Sequence, residues 1–183
     1  MLRGAGLSFI TDAADIDERA IAAGVLDAGG DAREVSLKLA REKSLAVGYR
    51  RRGCLVIGAD QTLDCEGKSF DKPATTQAAV SQILQFAGKA HSLYSSVSVT
   101  KDGIVAFEHT GEARLQMMPL SREAVERYVD KVGNAACASV GGYQIEGPGI
   151  QLFERIDGDY FTILGLPLLP LLQFLRTTGL HLP

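Results

Sequence analysis

Apolar positions along this chain change period several times, and each change marks an element. Over residues 34–50, EVSLKLAREKSLAVGYR, the apolar Val35, Leu39, Ala46 and Val47 fall on one helical face with Lys43 at its edge, which predicts a helix from Glu34 to Arg50. Arg50-Arg51-Arg52-Gly53 closes it, with cations where a helix dipole favours them. CLVIGA, Cys54–Ala59, is an unbroken apolar run, the pattern of a strand covered on both faces, and it delivers Asp60 at its C-terminal end. Glu66-Gly67 predicts a tight turn. Thr75 or Thr76 then caps a helix through Ala87, with Gly88 as its stop. Two long strands, His91–Thr100 and Ile104–Gln116, are joined through Lys101-Asp102-Gly103 as a hairpin. Ser121 caps a helix whose stripe is Val125, Tyr128, Val129 and Val132. Strand character returns over Ile150–Ile156, turns at Asp157-Gly158 and resumes over Tyr160–Leu164, and Pro167 opens a closing helix that ends near Gly179. At the front, Met1-Leu2-Arg3 reads as the last turn of a helix, Leu7–Ile10 as a short strand, and Asp12–Arg19 as an acidic loop. Strands and helices alternate without repeats or linkers, so the expected class is α/β with a mixed sheet and flanking helices.

Composition narrows the function classes. With 183 residues, 46% of them hydrophobic, the chain suits one domain with a real core. A net charge of −3 and the absence of Trp disfavour a protein held on duplex or single-stranded nucleic acid by general basicity or base stacking. A polyanionic ligand must then be held by a few placed cations. Cys54, Cys65 and Cys137 are odd in number and show no C-x-x-C spacing, and His91, His109 and His181 form no paired motif. The cysteines are expected to be small buried hydrophobes in a reducing, cytoplasmic setting. No signal peptide is visible, and the most apolar stretch, Phe161–Leu175, is short and broken by Gly165, Pro167 and Pro170, so no membrane partner is expected.

The sharpest local feature is VIGADQT, which places Asp60 where open α/β sheets bind ligands. A carboxylate there is either a functional acid or the cap of the next turn. Lys43 precedes it, Lys72-Pro73 follows it, and Asp15, Asp17 and Glu18 lie upstream. Separated carboxylates with isolated lysines suit a metal–polyphosphate site, because carboxylates hold divalent ions and lysines neutralise phosphate oxygens. No Walker-type loop and no G-x-G-x-x-G occurs. A second feature is GGYQIEGPG, residues 141–149, a Gly- and Pro-shaped path that presents Gln144 and Glu146; a plain surface turn would also account for it.

In this order, ADIDE at Ala14–Glu18, the lysine in Ala40–Ala46, GADQT, Lys72-Pro73, AGKAH at Ala87–His91, YQIEG and GDYFTILGLP at Gly158–Pro167 resemble the Maf family of nucleoside triphosphate pyrophosphatases. The resemblance implies a sheet with two lobes around a cleft, and hydrolysis between the α and β phosphates with a divalent cation, Mg or Mn. It implies Asp60 as catalytic base, Lys43 and Lys72 as phosphate-side lysines, and Glu18 as the acidic-loop carboxylate. Gln61 and Glu146 stand where the commonest pattern has Thr and Gln, which is similar to the subgroup acting on 7-methyl-GTP. A carboxylate suits guanine's N–H edge, and a base made cationic by N7-methylation suits it further. Asp71 stands where Gly usually precedes Lys-Pro. Residues 1–183 are expected to be a single domain lacking the family's first strand and its Ser-x-Ser-Pro-x-Arg loop, with a misassigned start as the reading of that lack. The expected partner is a nucleoside triphosphate, with a homodimer left open and no nucleic-acid polymer. The rival readings are a dTTP/UTP pyrophosphatase of the same family and a non-catalytic nucleotide-binding regulator of cell division.

Overall fold

The computed structural model describes residues 1–179, so His181 lies outside the described residues. Its elements are α1 (Glu18–Asp27), α2 (Ala32–Gly48), β1 (Leu55–Cys65), β2 (Lys68–Phe70), α3 (Thr76–Phe86), β3 (Ala90–Lys101), β4 (Ile104–Met117), α4 (Arg122–Val132), β5 (Phe153–Asp157), α5 (Tyr160–Ile163) and α6 (Leu168–Thr177). Five strands form one sheet in the order β2-β1-β3-β4-β5, antiparallel at both outer pairings. The class is α/β, as expected. Three short 3-10 turns bridge α4 to β5.

Local chemistry explains most boundaries. A reciprocal capping box between Asp31 and Glu34 starts α2 at Ala32, ahead of the expected Glu34. Thr75 caps α3 and Ser121 caps α4, each side chain accepting a backbone N–H of the first turn. The β3–β4 hairpin turns at Asp102 and Gly103, both in the left-handed region, the signature of a two-residue turn.

Several expectations are corrected. Leu7–Ile10 is not a strand; it is irregular and mostly exposed. The acidic loop ends at Asp17, whose side chain accepts from the Ala20 amide and starts a helix that the sequence pattern did not announce. Strand β1 runs on to Cys65, so Asp60 sits inside the strand and not at its end. Its Leu55–Ala59 stretch is half-buried except at Gly58, short of the full cover expected. Ile150–Leu152 is a 3-10 turn that precedes strand β5, and Tyr160–Leu164 begins as a helix: Asp159 caps it through the Thr162 amide at 2.8 Å, which overrides the strand propensity of its residues. Of the three free cysteines, Cys65 is buried but Cys54 is exposed, so Cys54 is not a core hydrophobe.

The chain divides into two compact units, Met1–Gln61 with Tyr94–Gly111 and Asp159–Pro183, and Thr62–Leu93 with Glu112–Gly158. In the first unit the alternation of each strand assigns its two faces. Leu55, Ile57, Ala59, Val97 and Val99 pack with Leu168, Leu171, Leu172 and Leu175 of α6. The alternate residues of β3, namely Ser96, Ser98 and Thr100, turn to α2 and are buried on hydroxyl contacts with Ser36 and Ser44. No helix among the described residues is long and apolar enough to cross a membrane.

The second unit is built on Val80, Ile83 and Phe86 of α3, Leu63, Leu115, Met117, and Val125 and Val129 of α4, all buried. Side chains of this size contribute about 1.5–3 kcal/mol each on burial. His91 lies in this core, 2% exposed, and burial pushes its pKa down from 6.5 to about 4. Below pH 6.5 the unfolded chain therefore binds the extra proton and the folded chain does not, so stability falls as the pH drops towards 4. We expect the wild type to lose roughly 2–3 kcal/mol more than His91→Leu between pH 7 and pH 4.5, read from urea midpoints. Parallel pH profiles for the two proteins would contradict the neutral, buried imidazole.

Candidate active site

Asp60 owes its surroundings to the residue two places before it. On β1 the side chains of positions 58 and 60 share the face turned to α2. Gly58 has no side chain, and a Cβ there would collide with the Ala40 carbonyl oxygen and lie 2.6 Å from the Ser44 backbone nitrogen. Helix and strand are thus in backbone contact. The same closeness recurs along α2, where a Cβ on Gly48 would lie 2.8 Å from Thr100 Oγ1. Short hydroxyl contacts fill the seam: Ser36 Oγ is 2.7 Å from Ser96 Oγ, and Thr100 Oγ1 donates to the Ser44 carbonyl at 3.0 Å.

This seam sets Lys43, the neighbour of Ser44, over Asp60. Lys43 Nζ donates to Asp60 Oδ1 at 2.6 Å and lies 3.0 Å from Glu18 Oε1. The Lys43 and Asp60 side chains are 21% and 12% exposed, whereas Glu18 is 53% exposed, so the first pair is partly desolvated and the second faces water. Burial pulls the Lys43 ammonium down, but Asp60 first and Glu18 second outweigh it, and its pKa stands above the ordinary value. Glu18 reaches Lys43 from the first turn of α1, fixed there by the Asp17 cap, rather than from a loop.

Gln61 points to the opposite face. Its Nε2 donates to Ser95 Oγ at 2.9 Å and is shared between the carbonyls of Thr162 at 3.1 Å and Ile163 at 3.0 Å. Ser95 Oγ donates to the same Thr162 carbonyl at 2.6 Å. The amide nitrogen of Gln61 is therefore occupied within the protein, where it ties β1 to α5. Ser95 and Thr162 were not singled out by sequence; the available signal for Ser95 was that it stands as a hydroxyl on the face that Val97 and Val99 otherwise make apolar.

Lys72 and Glu146 belong to the second unit. Lys72 is exposed beside buried Pro73, with no hydrogen bond or ion pair among the described residues. The segment before it is held by Gln82 Nε2, which donates to the Asp71 carbonyl at 2.9 Å. Glu146 is exposed, between buried Ile145 and half-buried Gly147. The structure thus brings Glu18, Lys43 and Asp60 together and leaves Lys72 and Glu146 as open charges on their own unit.

Asp60 and Glu18 are two carboxylates converging on one ammonium. No group of three or more His, Cys, Asp or Glu side chains that could hold a metal ion occurs among the described residues, so a divalent cation here would need substrate phosphates and water to complete the two carboxylates. Chemically, the arrangement offers a base, a cation and a second carboxylate within one side chain's reach.

A family model described as Maf-like protein matches residues 1–178. The 7-methyl-GTP pyrophosphatase of Brucella suis biovar 1 (strain 1330) is 47% identical over 176 residues, covering 96% of this chain and 88% of the relative. The 7-methyl-GTP pyrophosphatase of Rhizobium johnstonii is 48% identical, covering 98% of this chain and 90% of the relative. A protein of Nitrobacter winogradskyi named nucleoside triphosphate pyrophosphatase is also 48% identical, covering 98% and 88%.

If backbone contact at Gly58 sets the Lys43–Asp60 pair, Gly58→Ala must separate α2 from β1. Overpacking against backbone is expected to cost about 1–3 kcal/mol, seen as a lower melting temperature. Turnover should fall further than in Val99→Ala, a core change of comparable destabilisation away from the pair. Equal turnover in the two variants would show that the close approach serves stability only.

Proposed function

The chain belongs to the Maf-like family, and from that premise we propose that residues 1–183 form a nucleoside triphosphate pyrophosphatase with 7-methyl-GTP as its preferred substrate. The observation that carries this reading is the Lys43 ammonium held between Asp60 and Glu18 in a chain whose relatives bear these names. Water attacks the α-phosphorus, Asp60 accepts its proton, the bond from the α-phosphorus to the bridging oxygen breaks, and pyrophosphate leaves with the electron pair. Lys43, next to the base, places positive charge where phosphoryl oxygens gain negative charge. Lys72 serves as a second point charge on the phosphates. Asp60 and Glu18 would hold a divalent cation, Mg or Mn, together with the phosphates; when bound it supplies further charge neutralisation.

Base preference is assigned to Glu146. A carboxylate offers only acceptors, which suit the N–H donors on guanine's Watson–Crick edge. Its negative charge favours a cationic 7-methylguanine over a neutral pyrimidine. Gln61, held by Ser95 and α5, contributes through the backbone it fixes as much as through its own amide.

A screen of canonical and modified nucleoside triphosphates with pyrophosphate detection tests the reading. We expect 7-methyl-GTP to give the highest kcat/KM and the products to be monophosphate and pyrophosphate. A preference for dTTP and UTP would move the chain to another substrate class, and binding without turnover would make it a regulator. Asp60→Asn should keep the fold and lower kcat by about 10²–10⁴-fold, the usual loss when a general base is removed. A variant retaining more than about a tenth of wild-type turnover would remove Asp60 from that role. Glu146→Gln should lower the ratio of kcat/KM for 7-methyl-GTP over UTP by roughly 10-fold or more, the worth of a charged hydrogen bond. A uniform loss across nucleotides would show that Glu146 reads no base.

A further inference from the structure

The buried pair His91 and Tyr143 is used by none of the chemistry above. His91 Nε2 lies 2.6 Å from the Tyr143 hydroxyl, and both side chains are buried, at 2% and 4% exposure. His91 Nδ1 has no hydrogen-bond partner, so the imidazole's one polar contact is with Tyr143. A core that needed only volume would hold two apolar rings here. The surroundings are already aromatic: the His91 ring lies 5.0 Å from that of Phe86, and Tyr143 meets Phe153 edge-on at 4.8 Å. A polar bond in such a place restricts where the tyrosine can sit, because moving it away leaves two buried polar atoms unpaired.

Tyr143 is also the root of the segment that carries Glu146. Its backbone carbonyl accepts from Ser139 Oγ at 2.6 Å. Gly141 has φ of 86°, and a Cβ on it would lie 2.6 Å from Cε1 of the Tyr143 ring, so the chain folds tightly around that ring. Beyond it, buried Ile145 stands between half-buried Gln144 and exposed Glu146, and Gly149 packs against Gln144, where a Cβ would meet the carbonyl oxygen at 2.5 Å. Among the described residues the segment pairs with no strand; it is also held where the Tyr128 hydroxyl meets the Gln144 backbone and where the Gly147 amide donates to the Gln144 carbonyl at 3.3 Å.

We propose that His91 and Tyr143 are positioning residues: their hydrogen bond fixes the 139–149 segment in the one shape that presents Glu146 to the base. This rests on the reading of Glu146 as the group that selects the base. The bond therefore affects which nucleotide is preferred, with the bond-making steps at phosphorus left to Asp60 and Lys43.

The test compares Tyr143→Phe, which keeps the ring and removes only the hydroxyl, with His91→Leu and His91→Gln, whose amide can replace Nε2. Two quantities are read for each: amide hydrogen exchange over residues 144–149 against that of α3, and the kcat/KM ratio of 7-methyl-GTP to UTP. Tyr143→Phe and His91→Leu should speed exchange in 144–149 while α3 stays protected, and should lower the ratio roughly 3–10-fold, the range of one lost neutral hydrogen bond. His91→Gln should recover most of both. Unchanged exchange and ratio in Tyr143→Phe, or a rise in exchange shared equally by α3, would reduce the pair to ordinary core. Faster exchange with an unchanged ratio, in a protein where Glu146→Gln does shift the ratio, would also overturn the proposal. An unchanged ratio in Glu146→Gln itself would instead sink the base reading, and the exchange data alone would then say whether the pair holds the loop.

Discussion

Helix α2 lies so close to strand β1 at Gly58 that no side chain fits between them, and the chemistry assigned to the first unit depends on that closeness. Small residues make the approach possible: Ala40, Ser44 and Gly48 on the helix, Gly58 on β1, and Ser96, Ser98 and Thr100 on β3. Hydroxyls satisfy one another and the helix backbone across the seam, which lets polar residues be buried there at low cost. Lys43 lies beside this seam, and its Nζ arrives 2.6 Å from Asp60 without the helix having to bend or unwind. A larger residue at position 58 would have to push helix and strand apart, because backbone atoms of Ala40 and Ser44 already occupy the place of its Cβ.

The opposite face of the same strands is built differently. There Leu55, Ile57, Ala59, Val97 and Val99 meet the leucines of α6, an ordinary apolar contact with nothing to titrate. Gln61 interrupts this face with an amide that three acceptors claim, and α5 is held against β1 through it. Asp60 and Gln61 are neighbours in sequence but face different layers, because strand side chains alternate. One residue faces the helix with the lysine, and the other anchors the segment after β5. Adjacent polar residues in GADQT thus do unrelated physical work.

Much of this was legible in the sequence. The helices α2, α3, α4 and α6, the caps of α3 and α4 at Thr75 and Ser121, and the β3–β4 hairpin followed from periodicity, helix-start residues and turn residues. Helix α1 did not, because its short apolar stripe of Ile21, Ala22 and Val25 is only half-buried and follows directly on the acidic residues that read as a loop. The end of β1 was misplaced because Asp60, Gln61 and Thr62 are polar, whereas a strand continues through polar residues when both faces offer partners. Tyr160–Ile163 reads as a strand by its side chains and is a helix by its cap, the Asp159 carboxylate. In the site, Lys43 stood out as a charge at the edge of an apolar face, and Asp60 as an acid ending an apolar run. The partners of Gln61 are mostly backbone carbonyls, which leave no trace in side-chain pattern. Family resemblance supplied the roles; the distances supplied which residues share one place.

The central claim is that Lys43 and Asp60 act as one unit, held together by the packing of α2 on β1. A double-mutant cycle on kcat/KM for 7-methyl-GTP tests it, using Lys43→Met, Asp60→Asn and the two combined. Groups that act as a unit show losses far from additive. The account predicts that the double variant is about as slow as the slower single one. Losses that multiply, each substitution costing as much in the presence of the other as alone, would mean that Lys43 and Asp60 work independently and that their 2.6 Å contact has no part in turnover.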